Sequence, residues 1–432
     1  MKQKYFYLLI LFLFVFRVIY GLFAEFWFCD EIQIYLIGLK SYTTGSWPFY
    51  GPDIVYTNTQ IPGALQGLLV SIPFYLLKIP ESPTIFLNIL SFGSLSFLAY
   101  FISKRVPAIP AWIVWTLVLT TPWTLCYSTR VVNPSYVLVF SVPFFLSIIE
   151  LLPIYSRKII NPKPAFFIIG LTTTCIMQLH LSYILLLPFT ILVFAESFRK
   201  SRRKTMIFLL LYLSGFLLGL STLAPTLISP DPVMKGAASN IVFNPGNFKN
   251  ILTILVRFLS FAGFEIPYML GGGTAERLNV IKNQPWMAPF TLVLLVTGFL
   301  QVILFVLAFF MNREKDEWQK IKWLTFVSWL IIFISFFFSI KGPSSHTFYL
   351  MLPIPVIYSF YCYQWLISKK PVMMRYLKII VICGLFFHAG LGTDNYRHRS
   401  LYLNRAKVQE ALDKMDYRIL GPRRADTLGY GY

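Results

Sequence analysis

The chain is a succession of apolar runs separated by short polar turns. The runs are Tyr5–Ala24, Ile61–Leu77, Thr84–Ile102, Ala108–Leu125, Ser135–Leu152, Ala165–Ala195, Thr205–Leu223, Phe290–Met311, Trp323–Ile340, Phe348–Ile367 and Tyr376–Leu391. A helix needs about 20 apolar residues to cross the hydrocarbon core, so most of these runs read as membrane spans. Two do not fit as single crossings. Ala165–Ala195 would make a helix roughly 45 Å long against a core of about 30 Å, and Gln178 and His180 sit at its middle. It reads as two short spans joined by a turn. Ile61–Leu77 is short and carries Gln66 and Pro73, with Gln60 just before it.

The positions of Lys and Arg decide the second case. Lys2 and Lys4 precede the first span and mark the inside. If Ile61–Leu77 lies flat at the interface, three basic clusters fall inside: Lys104-Arg105, Arg157-Lys158-Lys163 and Arg199–Lys204. If it crosses, all three fall outside. The flat reading therefore holds. The expected architecture is an all-α polytopic membrane protein with about eleven transmembrane helices, the N-terminus in and the C-terminus out, with interfacial helices in the first outer loop. Residues 1–224 form the core, with the first outer loop at 25–83. Residues 225–392 hold a long outer loop and the later spans, and 393–432 an outer tail with an amphipathic helix at Ser400–Met415. The Met-Lys-Gln-Lys start followed by an apolar run resembles a signal peptide, but no small-x-small cleavage site follows, so it reads as a retained first span.

Composition then narrows the function. Of 432 residues, 56% are hydrophobic and 13% charged, which leaves no room for a separate soluble domain. The net charge of +20 comes from inner loops and needs no nucleic-acid partner; membrane lipid and phosphate groups are the partners it suits. The five cysteines form no CxxC pair and no metal spacing with His, and no cofactor is expected. Compact loops point to a bacterial plasma (inner) membrane.

The most furnished polar stretch is the first outer loop. Asp30-Glu31 opens it, just past the first span. Ile32, Tyr35, Leu36 and Leu39 follow at helical spacing and predict a short amphipathic helix. Gly45-Ser46-Trp47-Pro48 and then Pro62-Gly63 lead to the flat helix. Asp30 with Gln33 also has capping-box spacing, which would fix the carboxylate in place.

This order of first span, Asp-Glu, helix, Gly-x-Trp-Pro and Pro-Gly before a flat helix resembles the GT-C superfamily of membrane glycosyltransferases. It is similar above all to the branch with bacterial aminoarabinose transferases and protein O-mannosyltransferases. The resemblance covers roughly residues 1–224 and extends weakly to His346–Tyr358. It implies transfer of a sugar from a polyprenyl-phosphate carrier to a glycan, lipid or protein acceptor on the outer face. It also implies that the first-loop acid Asp30 is catalytic. Such a transfer needs a base for the acceptor hydroxyl and positive charge for the leaving phosphate. Asp30 is the expected base, with Glu31 raising its pKa. Arg130 in the second outer loop suits phosphate oxygens. Gln178, His180, His346 and Tyr349 fall where the resemblance implies substrate-facing polar groups.

Two departures matter. The second loop has Asn133 where relatives often carry an acid, so no metal site is expected and Asn133 is read as a substrate contact. The aminoarabinose branch has a Lys before Pro-Pro, where this chain has Gln60-Ile61-Pro62. Two other classes compete. A flippase or transporter of lipid-linked glycans would place ionisable residues at mid-membrane, where the apolar runs hold almost none beyond Arg17. A surface-polysaccharide polymerase would carry its key groups in a large late loop.

Overall fold

A computed structural model describes residues 3–24, 29–54, 59–228, 242–260, 274–313, 317–339, 342, 345–398 and 401–421. The long first helix α1 (Gln3–Ala24) is followed by α2 (Cys29–Thr44) and a hairpin of β1 (Tyr50–Ile54) and β2 (Thr59–Pro62), antiparallel, with Tyr50 opposite Pro62 and Asp53 opposite Gln60. Then come α3 (Leu65–Leu76), α4 (Ser82–Arg105), α5 (Ala111–Thr120), α6 (Pro122–Ser128), α7 (Val137–Leu151) and α8 (Pro162–Met177). A 3-10 turn (Leu181–Leu186) runs into α9 (Leu187–Lys200), and α10 (Arg202–Leu220), α11 (Ala224–Ile228), α12 (Ile251–Ser260) and α13 (Thr274–Asn283) follow. The last third holds α14 (Ala288–Met311), α15 (Glu317–Phe336), α16 (Ser345–Leu350), α17 (Pro353–Lys369), α18 (Met373–His398) and α19 (Leu401–Lys414).

Among the described residues seven helical segments are long and apolar enough to cross a membrane, and α3, α5, α7 and α8 are shorter apolar helices. The chain is an integral membrane protein. Its helices break where the sequence supplies a cause. The run at Ala165–Ala195 stops at Gln178 and restarts through the 3-10 turn, as its length requires. Pro122 separates α5 from α6, and Pro353 begins α17.

Antiparallel packing of α1 on α4 sets the two ends of the bundle. Arg17 meets Ser91 at 3.1 Å, and Phe14 packs its ring on Phe92. The chain between Leu22 and Ser82 therefore leaves and re-enters at one end, here termed the loop end. Helix α3 lies across that end. Ala64 donates its N–H to Thr222 O just past α10, and Leu69 O accepts from Tyr136 just before α7. With about 18 Å of helix it is too short for a crossing. At the opposite end Arg105, Lys158, Lys200 and Lys320 line one cleft. The basic clusters thus share one end, as the charge pattern requires.

Two expectations need correction. Ile61-Pro62 is not helical but ends β2, and Gly63 turns the chain with φ 107° before α3 begins. Helix α2 is not amphipathic. Ile34, Tyr35, Leu36, Ile37 and Leu39 are buried together with the polar Glu31, Gln33 and Ser41, because α3, β1 and the chain after α19 cover it from several sides. Gly38 lets α2 approach Val70 of α3; a Cβ there would fall 2.4 Å from a Val70 methyl. The tail helix α19 forms near the predicted range and docks at the loop end. Arg405 donates to Leu22 O and pairs with Glu81 at 3.6 Å, and Lys78 reaches Asp413 at 3.8 Å. The basic tail residue that sits awkwardly with the charge pattern has an acidic partner.

The tightest helix pair is α8 with α10. A Cβ on Gly170 would lie 2.0 Å from Tyr212 O, one on Gly215 2.1 Å from Phe167 O, and one on Gly219 2.0 Å from Thr174 Oγ1. Gly215 and Gly219 form the small-xxx-small spacing that lets membrane helices touch backbone to backbone. Gly215→Leu is expected to separate the pair and lower the melting temperature in detergent. Gly93→Leu should not, since a Cβ at Gly93 meets nothing within 4 Å. Equal effects at both positions would refute the packing role. Sidedness has its own check. Cysteines at Ser46 and Asn279, both at the loop end, should react with an impermeant thiol reagent from outside, and one at Ser201 should not. Labelling of Ser201 would reverse the bundle.

Candidate functional site

The loop end collects nearly all the irregular backbone of the bundle, and the candidate site is built from it. Its floor is set by Arg17, buried at 0% exposure within α1. The guanidinium donates to Leu119 O at 2.7 Å, Ser128 Oγ at 2.9 Å, Ser91 Oγ at 3.1 Å and Ser128 O at 3.3 Å. Pro122 ends α5 and frees carbonyls that the bilayer cannot satisfy, and Arg17 supplies donors. Asn88 completes the join by donating to Thr129 O at 2.7 Å. The second loop, which begins there, is thereby held against α1 and α4.

The loop presents two of the expected residues, Arg130 and Asn133. Arg130 is buried and donates Nε to Cys126 O at 3.0 Å, one helical turn back. Asn133 is half-buried, and its Oδ1 has no hydrogen-bond partner among the described residues. Tyr127 packs its ring against Tyr349 at 5.3 Å. Tyr349 itself is fully buried, with its hydroxyl facing Ser128 and Arg17. Arg130, Asn133 and Tyr349 therefore belong to one neighbourhood. The side chain of His346 lies outside the described residues; its helix α16 rests on α7 and on the 3-10 turn after His180.

The acid pair sits in the first turn of α2. Glu31 is buried and has polar partners within the chain. The Asp30 side chain lies outside the described residues, as does Asp-Glu's flank at 25–28.

Gln178 and His180 turn out to have structural work. Gln178 is fully buried, donates to Gly219 O at 2.9 Å and to Thr174 O at 3.3 Å, and accepts from Thr222 Oγ1 at 2.9 Å. A Cβ on Gly63 would strike its side chain at 2.5 Å, so Gln178 seats the turn into α3. His180 caps the following 3-10 turn by accepting from Ser182 N–H at 3.1 Å through Nδ1. Its Nε2 is then the protonated nitrogen of the neutral ring.

Gln66 was not among the expected site residues. It lies in the first turn of α3, 1% exposed, and neither amide atom has a hydrogen-bond partner among the described residues. Its signal in the sequence was a glutamine inside an apolar run. An unpaired buried amide is a cost to the fold, so its presence points to a group beyond the described residues.

A solved structure with the same architecture is ArnT from Cupriavidus metallidurans bound to undecaprenyl phosphate. The likeness covers 97% of this chain and 74% of that one, with a TM-score of 0.54 and 10% sequence identity. The two chains share a fold, a GT-C-like arrangement of membrane helices. No protein-family model and no curated protein sequence matches the chain. At such identity the GT-C likeness speaks for the arrangement of helices and not for individual side chains. The expected acid pair, flat helix and second loop all lie at the loop end of this GT-C fold.

Gln66→Leu is expected to raise the melting temperature of the ligand-free protein, because a buried amide without a partner costs about 1–3 kcal/mol. A clear fall would show that ordered water or another group already holds the amide.

Proposed function

We propose that the chain is a membrane glycosyltransferase that moves a sugar from a polyprenyl-phosphate carrier to an acceptor at the loop end, on the outer face of a bacterial plasma membrane. The observation that carries this reading is the fold shared with a GT-C protein bound to undecaprenyl phosphate. The acid pair supports it from the sequence side, because it opens α2 at the end where α3, the second loop and α16 meet.

In this reading Asp30 takes the proton of the acceptor hydroxyl as that oxygen attacks the anomeric carbon. The bond from that carbon to the phosphate oxygen breaks, and the carrier phosphate leaves with the electron pair. A positioned carboxylate of this kind contributes roughly a hundredfold or more. Glu31, buried beside it, disfavours a second negative charge and so keeps Asp30 basic. Arg130, in the second loop, supplies the positive charge for the leaving phosphate. Asn133 and Gln66 supply amide contacts, and Tyr349 and His346 border the lipid-phosphate side. Gln178 and His180 act one step removed, by fixing the turn into α3 and the turn beneath α16. Asn133 is neutral, so the reaction is assigned to acid–base chemistry with no required metal.

Asp30→Asn separates the roles of the residue. Asp30 lies within the first turn of α2 rather than ahead of it as a cap. Asn keeps its size and shape there, so the fold should survive, but the amide cannot accept the proton. Transfer of labelled sugar from a polyprenyl-phosphate donor in membranes should fall about a hundredfold or more, with protein level and melting temperature near wild type. Glu31→Gln should do less. A folded Asp30→Asn protein working at near wild-type rate would refute the catalytic assignment.

A further inference from the structure

The end opposite the loops carries a cleft of about 800 Å³ that the transfer reaction does not use. It lies between the C-terminal end of α4, the α7–α8 loop, the end of α9, the start of α15 and α17. Its walls include Arg105, Lys158, Lys200 and Lys320, against the single lining acid Glu317. The cations differ in availability. Arg105 is spoken for: it pairs with Glu150 at 2.7 Å, donates to Arg157 O at 2.8 Å and stacks 3.8 Å over the Tyr155 ring. Lys200 shares Glu196 with Arg199. Lys158 donates one proton to Leu152 O at 2.9 Å and has no acid within ion-pair distance among the described residues. Lys320 is exposed and has no ion pair there either. Two hydroxyls complete the wall: Tyr361 donates to Tyr155 Oη at 3.1 Å, with Glu317 Oε2 at 3.4 Å.

We infer that this cleft binds the phosphate headgroup of an anionic lipid, with Lys158 and Lys320 as its principal contacts and Arg105 and Tyr155 as a fixed backing. Lysines crowded on one concave wall repel one another, and a phosphate relieves that repulsion. The crowding is visible at Lys158, whose pKa is pulled down by partial burial, eased back by Glu150, and pulled down further by Lys200, Arg105 and Lys320. The occupant is a lipid because the flanks are greasy. Phe198, two residues before Lys200 on α9, and Trp323, three residues after Lys320 on α15, are each more than half exposed and offer apolar surface to acyl chains. The charge pattern assigns this end to the cytoplasmic leaflet, which is where anionic lipid attracts basic juxtamembrane residues.

The test uses the full chain in zwitterionic detergent at physiological salt and a short-chain fluorescent phosphatidic acid as probe. The probe should bind at least tenfold more tightly than its phosphatidylcholine counterpart. Lys158→Gln/Lys320→Gln should weaken it at least tenfold, and Lys78→Gln, at the loop end, should not. Inorganic phosphate should compete only at far higher concentration. Lys320→Gln alone, at an exposed position, should give an intermediate loss if the double variant proves hard to fold. Equal binding of phosphatidylcholine, or unchanged affinity in both lysine variants, would overturn the site. Competition by inorganic phosphate at probe concentration would overturn the lipid as occupant. None of these readings depends on glycosyl transfer, so they stand apart from the fate of Asp30.

Discussion

The Arg17 guanidinium, with no ion pair among the described residues, ties this bundle together through hydrogen bonds. In hydrocarbon every backbone carbonyl needs a donor, and a helix interrupted by proline leaves several without one. Pro122 creates that problem between α5 and α6. Arg17 answers it from α1 with bonds to Leu119 O, Ser128 O and two serine hydroxyls. Arg is suited to this role because its donors form a planar fork that can serve several acceptors at once, while a Lys would offer one point of contact. The interaction also crosses elements far apart in sequence. It ties α1, α4 and α6 at one level, so the second loop leaves that level in a fixed direction.

The irregular backbone that follows is concentrated at one end for the same physical reason. The loop after α6, the turn at Gln178, the turn at Gly63 and the α16–α17 break all sit there. Three of the carbonyls freed there have named donors: Asn88 for Thr129 O, Gln178 for Gly219 O, and Ala64 N–H for Thr222 O. A site assembled from loops must be braced in this way to hold its shape. The braces are ordinary polar side chains, which explains why Gln178 reads from sequence as a substrate contact and from structure as a support.

Much of the architecture was legible in the chain, because two strong constraints act along it. Hydrocarbon thickness fixed run lengths and forced the break near Gln178. The bias of Lys and Arg fixed parity, so the flat placement of α3 followed from residues far outside it, such as Arg105 and Lys200. What was hidden depended on contacts between distant segments. Helical spacing of the apolar residues in α2 suggested an exposed face, but α3, β1 and the chain after α19 bury it. Tyr50–Ile54 and Thr59–Pro62 form a hairpin despite Pro52 and Pro62, since a pair at the edge of a loop tolerates missing donors. Arg405 looked misplaced by charge until Glu81 and Leu22 O came into contact with it. Of the site, the burial of the Gln66 amide without a partner among the described residues was not legible, because that is a property of packing.

The two ends of the molecule divide its charge in a way that suits a bilayer with different leaflets. At the loop end, acids and amides gather where backbone is irregular, and the cations there are engaged within the chain: Arg130 with Cys126 O, Arg405 with Glu81 and Leu22 O, and Lys78 beside Asp413. At the other end, cations line a concave wall and their acids are mostly already engaged, Glu150 by Arg105 and Glu196 by Lys200. The difference between the ends is one of pairing as well as of sign. Cations held by acids or carbonyls at the loop end have little left to attract an anion, while lysines on the concave wall of the other end have fewer acids beside them, and unpaired positive charge near the surface of a bilayer is what draws anionic headgroups.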